Sequence, residues 1–391
     1  MRIVYAREPF PDIIEHSSIF LAGPTPRDAH VASWRPKALA LLEACGYRGA
    51  VFVPEDRSGG LKADFNKQAQ VDWERDGLER ADCILFWVPR ELTTMPAFTT
   101  NIEFGWWMQS RKIAYGAPDK APRTGYLDLK AADYGFAKAS TLEDTVASAL
   151  RMIGDGAARK GGECQVPLHI WRTEAFQHWY RVLIAAGNRL DGAHVKWSSR
   201  MKQGGSIFLW VLHANVYVAK ERRHKTNEVV VGRPDIAAVV LYRKVASLME
   251  TPVVLVREFR TPGAVEDGFV HELPGGSSEV PNPCPIDIAC EEVFEETGLV
   301  IAPERLRFHG ARQLAATMLS HKGHVFSCEL TEGELGDFAA QAGTARGKAG
   351  DSERTYVEVA TVRDILMQGL ADWSNIGMVL SVLHDVYGEA S

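Results

Sequence analysis

The sequence predicts an α/β domain built on a parallel sheet, followed by an α+β domain. Three observations carry this. The 391 residues exceed what one hydrophobic core organises, so two domains of roughly 150–200 residues are expected. The first 150 residues alternate short apolar runs with helical patterns, whereas the remainder shows longer strands, polar turns and one glutamate-rich helix. With 46% hydrophobic and 24% charged residues, there is apolar mass for two ordinary cores.

Ser18–Ala22 (SIFLA) is a strand by its unbroken small and apolar run, and 34–45 a helix stopped by Gly46. A strand at 51–54, a helix at 68–80, a strand at 83–88 (CILFWV) and a helix at 101–110 continue the alternation. Apolar strands separated by helices predict a parallel sheet covered on both faces, with binding sites beyond its C-terminal strand ends. The small and polar run at 154–162 (GDGAARKGG) predicts a linker over 154–165. That sets the domains at 1–153 and 166–391, with 166–205 as a helical lead-in. Residues 166–189 show the helical pattern and carry Trp171, Phe176, Trp179 and Tyr180; 207–218, 236–242 and 253–257 then predict successive strands.

The charge of −6 gives no general reason to expect duplex nucleic acid or an anionic membrane as partner. The basic run 220–225 (KERRHK) fits a solvated hairpin turn better than a phosphate patch. Cys45, Cys83, Cys164, Cys284, Cys290 and Cys328 form no CxxC pair, which argues against a disulfide framework or a zinc site and for a reducing compartment. No run approaches the ~20 apolar residues of a membrane span, and the N-terminus lacks a signal pattern. A cytoplasmic protein is expected.

Residues 288–299 (IACEEVFEETGL) carry Glu291, Glu292, Glu295 and Glu296, with Gly298 where a helix C-cap wants glycine. Positions three and four apart share a helix face, so Glu292, Glu295 and Glu296 can converge. Their repulsion is relieved by a hard cation such as Mg²⁺ or Mn²⁺; a solvated acidic face is the alternative. Glu272-Leu273-Pro274-Gly275-Gly276 stands upstream as a strand end and Gly-rich loop. Together these segments resemble the Nudix hydrolase signature, matched at Glu292, Val293, Glu295, Glu296, Gly298 and Leu299. The resemblance implies an α/β/α sandwich in which the three glutamates ligate Mg²⁺ or Mn²⁺ on a diphosphate and activate water. Glu291 replaces the family's Arg, and the family's loop Glu would fall near Asn282 or Pro283, so both members of that pair are lost together.

Residues 253–260 (VVLVREFR) followed by HELPGG are similar to the ADP-ribose and nucleotide-sugar branch of that family. This implies substrate binding by Arg257, Arg260, Glu272 and Gly276, the arginines as two-pronged donors to diphosphate. Surface pairing with Glu258 or Glu266 is the alternative for the arginines. The branch's loop base maps to Glu353, with Glu329 and Glu358 as competitors.

In the first half, FLAGP at 20–24, the Trp73-Glu74 helix, Ala81-Asp82 before CILFWVP, and TTNIEFG at 99–105 resemble nucleoside 2-deoxyribosyltransferases and their N-glycosidase relatives over residues 17–150. The resemblance implies a flavodoxin-like fold and a homo-oligomer. Glu103 would attack the anomeric carbon as the base leaves. Glu74, or Asp72 nearby, would orient the substrate; Gly23 and Pro24 would shape the pocket, and Asn101 would contact substrate. The stretch 95–100 (MPAFTT) replaces the family's acid before the nucleophile, which leaves transferase, hydrolase and inactive binding module open. The expected function is Mg²⁺-dependent hydrolysis of nucleoside diphosphate derivatives such as ADP-ribose, NAD-like or modified nucleotides, with an N-terminal domain acting on N-glycosidic bonds. The rival is a nucleotide sensor without turnover.

Overall fold

The computed structural model describes residues 1–388 apart from 29, 60–65, 202–204, 206, 279–282 and 348–353. The chain divides into two compact units, Met1–Val231 and Gly232–Ser391.

The first unit holds a six-stranded sheet of β1 (Arg2–Tyr5), β2 (Ser18–Ala22), β3 (Ala50–Val53), β4 (Cys83–Trp87), β5 (Ile113–Gly116) and β6 (Lys138–Ala139). All pairings are parallel, in the order β1-β3-β2-β4-β5-β6. Setting aside edge strand β1, this is the doubly wound, flavodoxin-like order, with its direction reversing between β2 and β4. Alternate side chains feed opposite faces. Ile19, Leu21, Val51 and Leu85 pack under α1 (Arg35–Ala44) and α5 (Leu142–Ile153). Phe20, Phe52, Ile84 and Phe86 pack under α2 (Lys67–Arg80), α3 (Phe98–Trp107) and α4 (Gly125–Asp133).

The expected boundary falls elsewhere. Residues 154–165 belong to the first unit: Ile13–Ile14 pairs with Arg159–Lys160, and Ala157 N–H donates to His16 O at 2.7 Å. The anchor is a fully buried ion pair. Arg159 grips both oxygens of Asp82, which also accepts N–H groups of Ser18 at 2.8 Å and Leu168 at 2.9 Å. The lead-in is only partly helical. After α6 (Glu174–Ala185) the chain forms β7 (Arg189–Arg200), β8 (Ile207–Val218) and β9 (Arg223–Gly232), a three-stranded sheet cored by Phe176, Tyr180, Trp210 and Leu212. The β8–β9 turn, 219–222, takes in the first half of the basic run at 220–225, and the rest of the run begins β9.

The second unit is a mixed eight-stranded sheet. Its path is β14 (Arg307–Gln313), β15 (Lys322–Glu329), β10 (Ile236–Tyr242), β11 (Pro252–Phe259), β17 (Thr355–Thr361) and β16 (Ala345–Arg346). β12 (Phe269–Glu272) pairs with β11 and β13 (Gly275–Gly276) with β10. Only β10 and β15 run parallel among the registered pairs. The glutamate helix α7 (Pro285–Thr297) packs with α8 (Glu332–Ala340) on one face through Ile288, Val293 and Phe338. α9 (Val362–Met367) and α10 (Trp373–Gly388) cover the other through Ile365, Val379 and Leu383. Among the described residues, no helix is long and apolar enough to cross a membrane.

Candidate active site

The C-terminal ends of β2, β3 and β4 frame the first site. Gly23 leaves β2 at φ +147°, and a Cβ there would lie 2.2 Å from Trp87 O and 2.9 Å from Trp34 Cζ2, so the turn demands glycine. Beneath it Arg35, only 1% exposed, donates to Leu21 O at 3.1 Å, Gly23 O at 2.7 Å, Thr25 Oγ1 at 3.0 Å and Glu55 Oε1 at 2.5 Å. Glu55, only 3% exposed, is the carboxylate partner of this interior arginine.

Two further carboxyls face this arginine. Burial pushes Glu103 up to about 8, Glu74 adds to the rise and Arg35 opposes it. Glu74 is itself raised by burial, against a 2.7 Å hydrogen bond from Gln70 Nε2 and the charges of Arg35 and Arg7. Arg7 in turn holds Gln70 Oε1 at 2.6 Å and pairs with Asp56. The helix that carries Glu103 starts from a strained residue: Ala97, the N-cap of α3, has φ +60°, a left-handed conformation costing a non-glycine residue about 1–2 kcal/mol.

These positions separate the expected residues. Glu74 rather than Asp72 faces Glu103, since Asp72 turns outward to Arg75 at 2.9 Å and Gln68 at 3.1 Å. Pro24 accepts the Trp34 indole N–H at 3.1 Å, fixing the turn rather than offering a polar group. Asn101 is exposed, bonded to Arg90, and borders a cavity with Arg123 and Tyr126. Arg35, Glu55, Gln70 and Arg7 escaped the sequence reading. Only Glu55 had a usable signal, a carboxylate just past a strand's C-terminal end.

Residues 16–121 match the family described as Nucleoside 2-deoxyribosyltransferase like. A deoxyribosyltransferase-like domain is therefore present at the N-terminus. The match takes in Gly23, Arg35, Glu55, Glu74 and Glu103, and stops before the three-stranded sheet and the whole second unit. Comparison with curated proteins gave no similar sequence. A nucleoside-sized small molecule fits the function class of the deoxyribosyltransferase-like domain.

The second unit gathers acids around β13. Gly275 N–H donates to Glu296 Oε2 at 2.9 Å, and Glu292 lies so close to Gly276 that a Cβ there would meet its Oε1 at 2.4 Å. Glu296 is pushed up to about 8, first by burial, with Glu292 and Glu258 adding to it while Gly275 N–H and Arg260 oppose. Glu258, 5% exposed, joins the cluster although the sequence suggested only an arginine partner. Arg260 pairs with Glu258 at 2.9 Å and Glu272 at 2.8 Å, so it braces the acids. Arg257 turns to Asp267 and lies 4.6 Å over the Phe269 ring. Glu295 is half-buried on α7, and Glu353 lies outside the described residues. Glu358 is bonded to His271 at 2.8 Å, and Glu329 lies 3.9 Å from Arg243.

A hard cation takes oxygen ligands, and Glu258, Glu292 and Glu296 offer carboxylates whose repulsion it would relieve. Among the described residues, no group of three or more His, Cys, Asp or Glu side chains is arranged to hold a metal ion.

Proposed function

We propose that the deoxyribosyltransferase-like domain cleaves N-glycosidic bonds of nucleosides or nucleotides, with Glu103 as nucleophile and Glu74 as its proton-sharing partner. The observation that carries this reading is the coupling of Glu103 to Glu74 over buried Arg35, at the strand ends where doubly wound sheets take ligands. In this reading the two carboxyls, both raised by burial and with Glu74 raising Glu103 further, hold one proton between them. That proton passes from Glu74 to the departing base nitrogen while the Glu103 carboxylate forms the ester bond to C1′ and the C1′–N bond breaks. Water then resolves the ester to the free sugar, or a second base takes the sugar and returns the carboxylate. Gly23 and Pro24 shape the floor.

The test is release of free base from a panel of nucleosides and nucleotides, by chromatography and mass. Glu103→Ala is expected to abolish it; persistence of base release in that variant removes Glu103 from the role.

Phe98, Ile102 and Trp106 on α3 are 66%, 68% and 77% exposed, an apolar stripe at helical spacing that supports a homo-oligomer burying it. A monomeric mass by light scattering would defeat that part.

For the second unit we propose a Nudix-type phosphoanhydride hydrolase for nucleoside diphosphate derivatives, favoured by the raised Glu296 among Glu292 and Glu258. Glu292, Glu295 and Glu296, helped by Glu258, would hold Mg²⁺ or Mn²⁺, which when bound polarises a phosphate and lowers the pKa of water. Arg260 and Glu272 brace the acids, and Gly276 admits the close approach. Products from ADP-ribose and dinucleotides with Mg²⁺ or chelator test it. A sensor would keep nucleotide affinity in Glu292→Gln and have no turnover to lose.

A further inference from the structure

At the opposite, N-terminal edge of the same parallel sheet lies a cavity of about 300 Å³. Asp82 and Lys112, which immediately precede β4 and β5, line it, so a full strand, roughly 17 Å, separates it from the Glu103 site.

Its charge is one-sided. Arg111, Arg172 and Arg200 line it. Burial lowers the Arg200 pKa and Arg111 lowers it further, so two guanidiniums repel each other here. Among the described lining residues the single carboxylate is Asp82, and its oxygens are already committed to Arg159 and to the N–H groups of Ser18 and Leu168. The cationic excess is therefore not neutralised from within the cavity. Lys112, pushed down to about 7 by burial, contributes only a partial charge and spends its donors on the carbonyls of Leu78, Glu79 and Ala81 at 2.7, 2.6 and 2.9 Å.

Three features give the cavity more than charge. Arg111 adopts φ +52°, a left-handed conformation unusual for a non-glycine residue. His169 Nδ1 is buried without a partner in the same wall. Tyr134 and Phe136, both half-buried at the rim, stack on one another at 6.4 Å with 10° between planes and offer a flat aromatic surface.

We propose that this cavity binds a small phosphorylated metabolite of mononucleotide size, its phosphate between Arg111 and Arg200 and a planar ring against Tyr134 and Phe136. The volume lies at the small end of ligand sites, which favours one nucleotide over a dinucleotide. Guanidinium pairs suit phosphate because each planar fork donates two hydrogen bonds to it. The inference is independent of the chemistry at Glu103.

Calorimetric titration of the full chain with AMP, ribose 5-phosphate and inorganic phosphate tests it. Arg111→Gly removes a guanidinium at a backbone angle glycine adopts freely, and Arg200→Gln removes the other. AMP affinity is expected to fall at least about tenfold in each, to weaken with added salt, and to survive in Glu103→Gln. Phosphate displacing AMP marks charge as the main contribution; AMP binding much tighter than ribose 5-phosphate marks the aromatic wall. Absence of saturable binding by all three into the millimolar range, unchanged AMP affinity in Arg111→Gly, or loss of binding in Glu103→Gln overturns the proposal. Circular dichroism of each variant separates lost binding from lost folding.

Discussion

Glu103 in the first unit and Glu296 in the second are both pushed up to about 8, chiefly by burial and further by neighbouring carboxylates. Their surroundings differ. Glu103 and Glu74 share a fixed internal cation, Arg35, which is itself anchored by Glu55 and three other acceptors. Such a pair is stable with one proton, and a single shared proton suits acid-assisted departure of a base. Glu296 lies among Glu292 and Glu258, with the half-buried Arg260 divided between Glu258 and Glu272. There the acids outweigh the cation beside them, which suits an external metal. A raised carboxyl pKa thus marks a desolvated acid, and the neighbouring cations decide what chemistry it serves.

The largest expected effect separates the two sites. Glu103→Gln should cut base release by about 10³-fold or more while leaving anhydride hydrolysis intact, and Glu292→Gln should do the reverse. A single substitution that silenced both activities would break the comparison.

Next comes stability. Arg35→Met strands Glu55 in the interior and should cost about 3–5 kcal/mol in urea unfolding. Arg260→Met removes partners that are partly solvated, 39% of the arginine side chain being exposed, and should cost under ~1 kcal/mol. Equal losses would mean that the two arginines do the same work.

Metal should act on one unit only. Mg²⁺ at a hundredfold excess over its dissociation constant adds about 2.7 kcal/mol to the state that binds it. Scanning calorimetry should show that shift in the parent protein and in Glu103→Gln, and lose it in Glu292→Gln. A shift that survives Glu292→Gln would place the ion elsewhere.

The smallest effect is in pH. Glu103, pushed up to about 8 in the folded protein from the ordinary 4.5 of a glutamate, holds an extra proton between these values when folded, so stability falls as pH rises through that window. Base release needs that shared proton, so kcat/KM should decline by up to tenfold per unit as pH climbs past about 8, and a flat profile from 7 to 10 would exclude the proton-sharing role of the pair.

Much of this was legible in one dimension. β2 has the expected bounds, and β3, β4, α2 and the glutamate helix lie within a few residues of theirs, because continuous apolar runs and a C-cap glycine at Gly298, φ +76°, are local signals. The boundary was not legible. A small, polar run such as 154–162 has a linker's composition, and only the distant Asp82 turns Arg159 into a structural anchor. Glu103 and Glu74 could be named from motif resemblance, yet Arg35 resembles any helix-face arginine until folding buries it beneath Gly23. Asn101, two residues from Glu103 in sequence, is bonded to Arg90 and borders the cavity of Arg123 and Tyr126, neighbours that no local pattern names.

The sequence by itself determined the strand and helix alternation, the glycine-bound turns and the acidic residue types, all of which follow from periodicity and backbone sterics within a few residues. Tertiary structure alone decided which acids lose water and which arginine stands against them. Those properties arise from groups far apart in the chain, such as Arg35 with Glu74 and Glu103, and no local pattern encodes the field they make together.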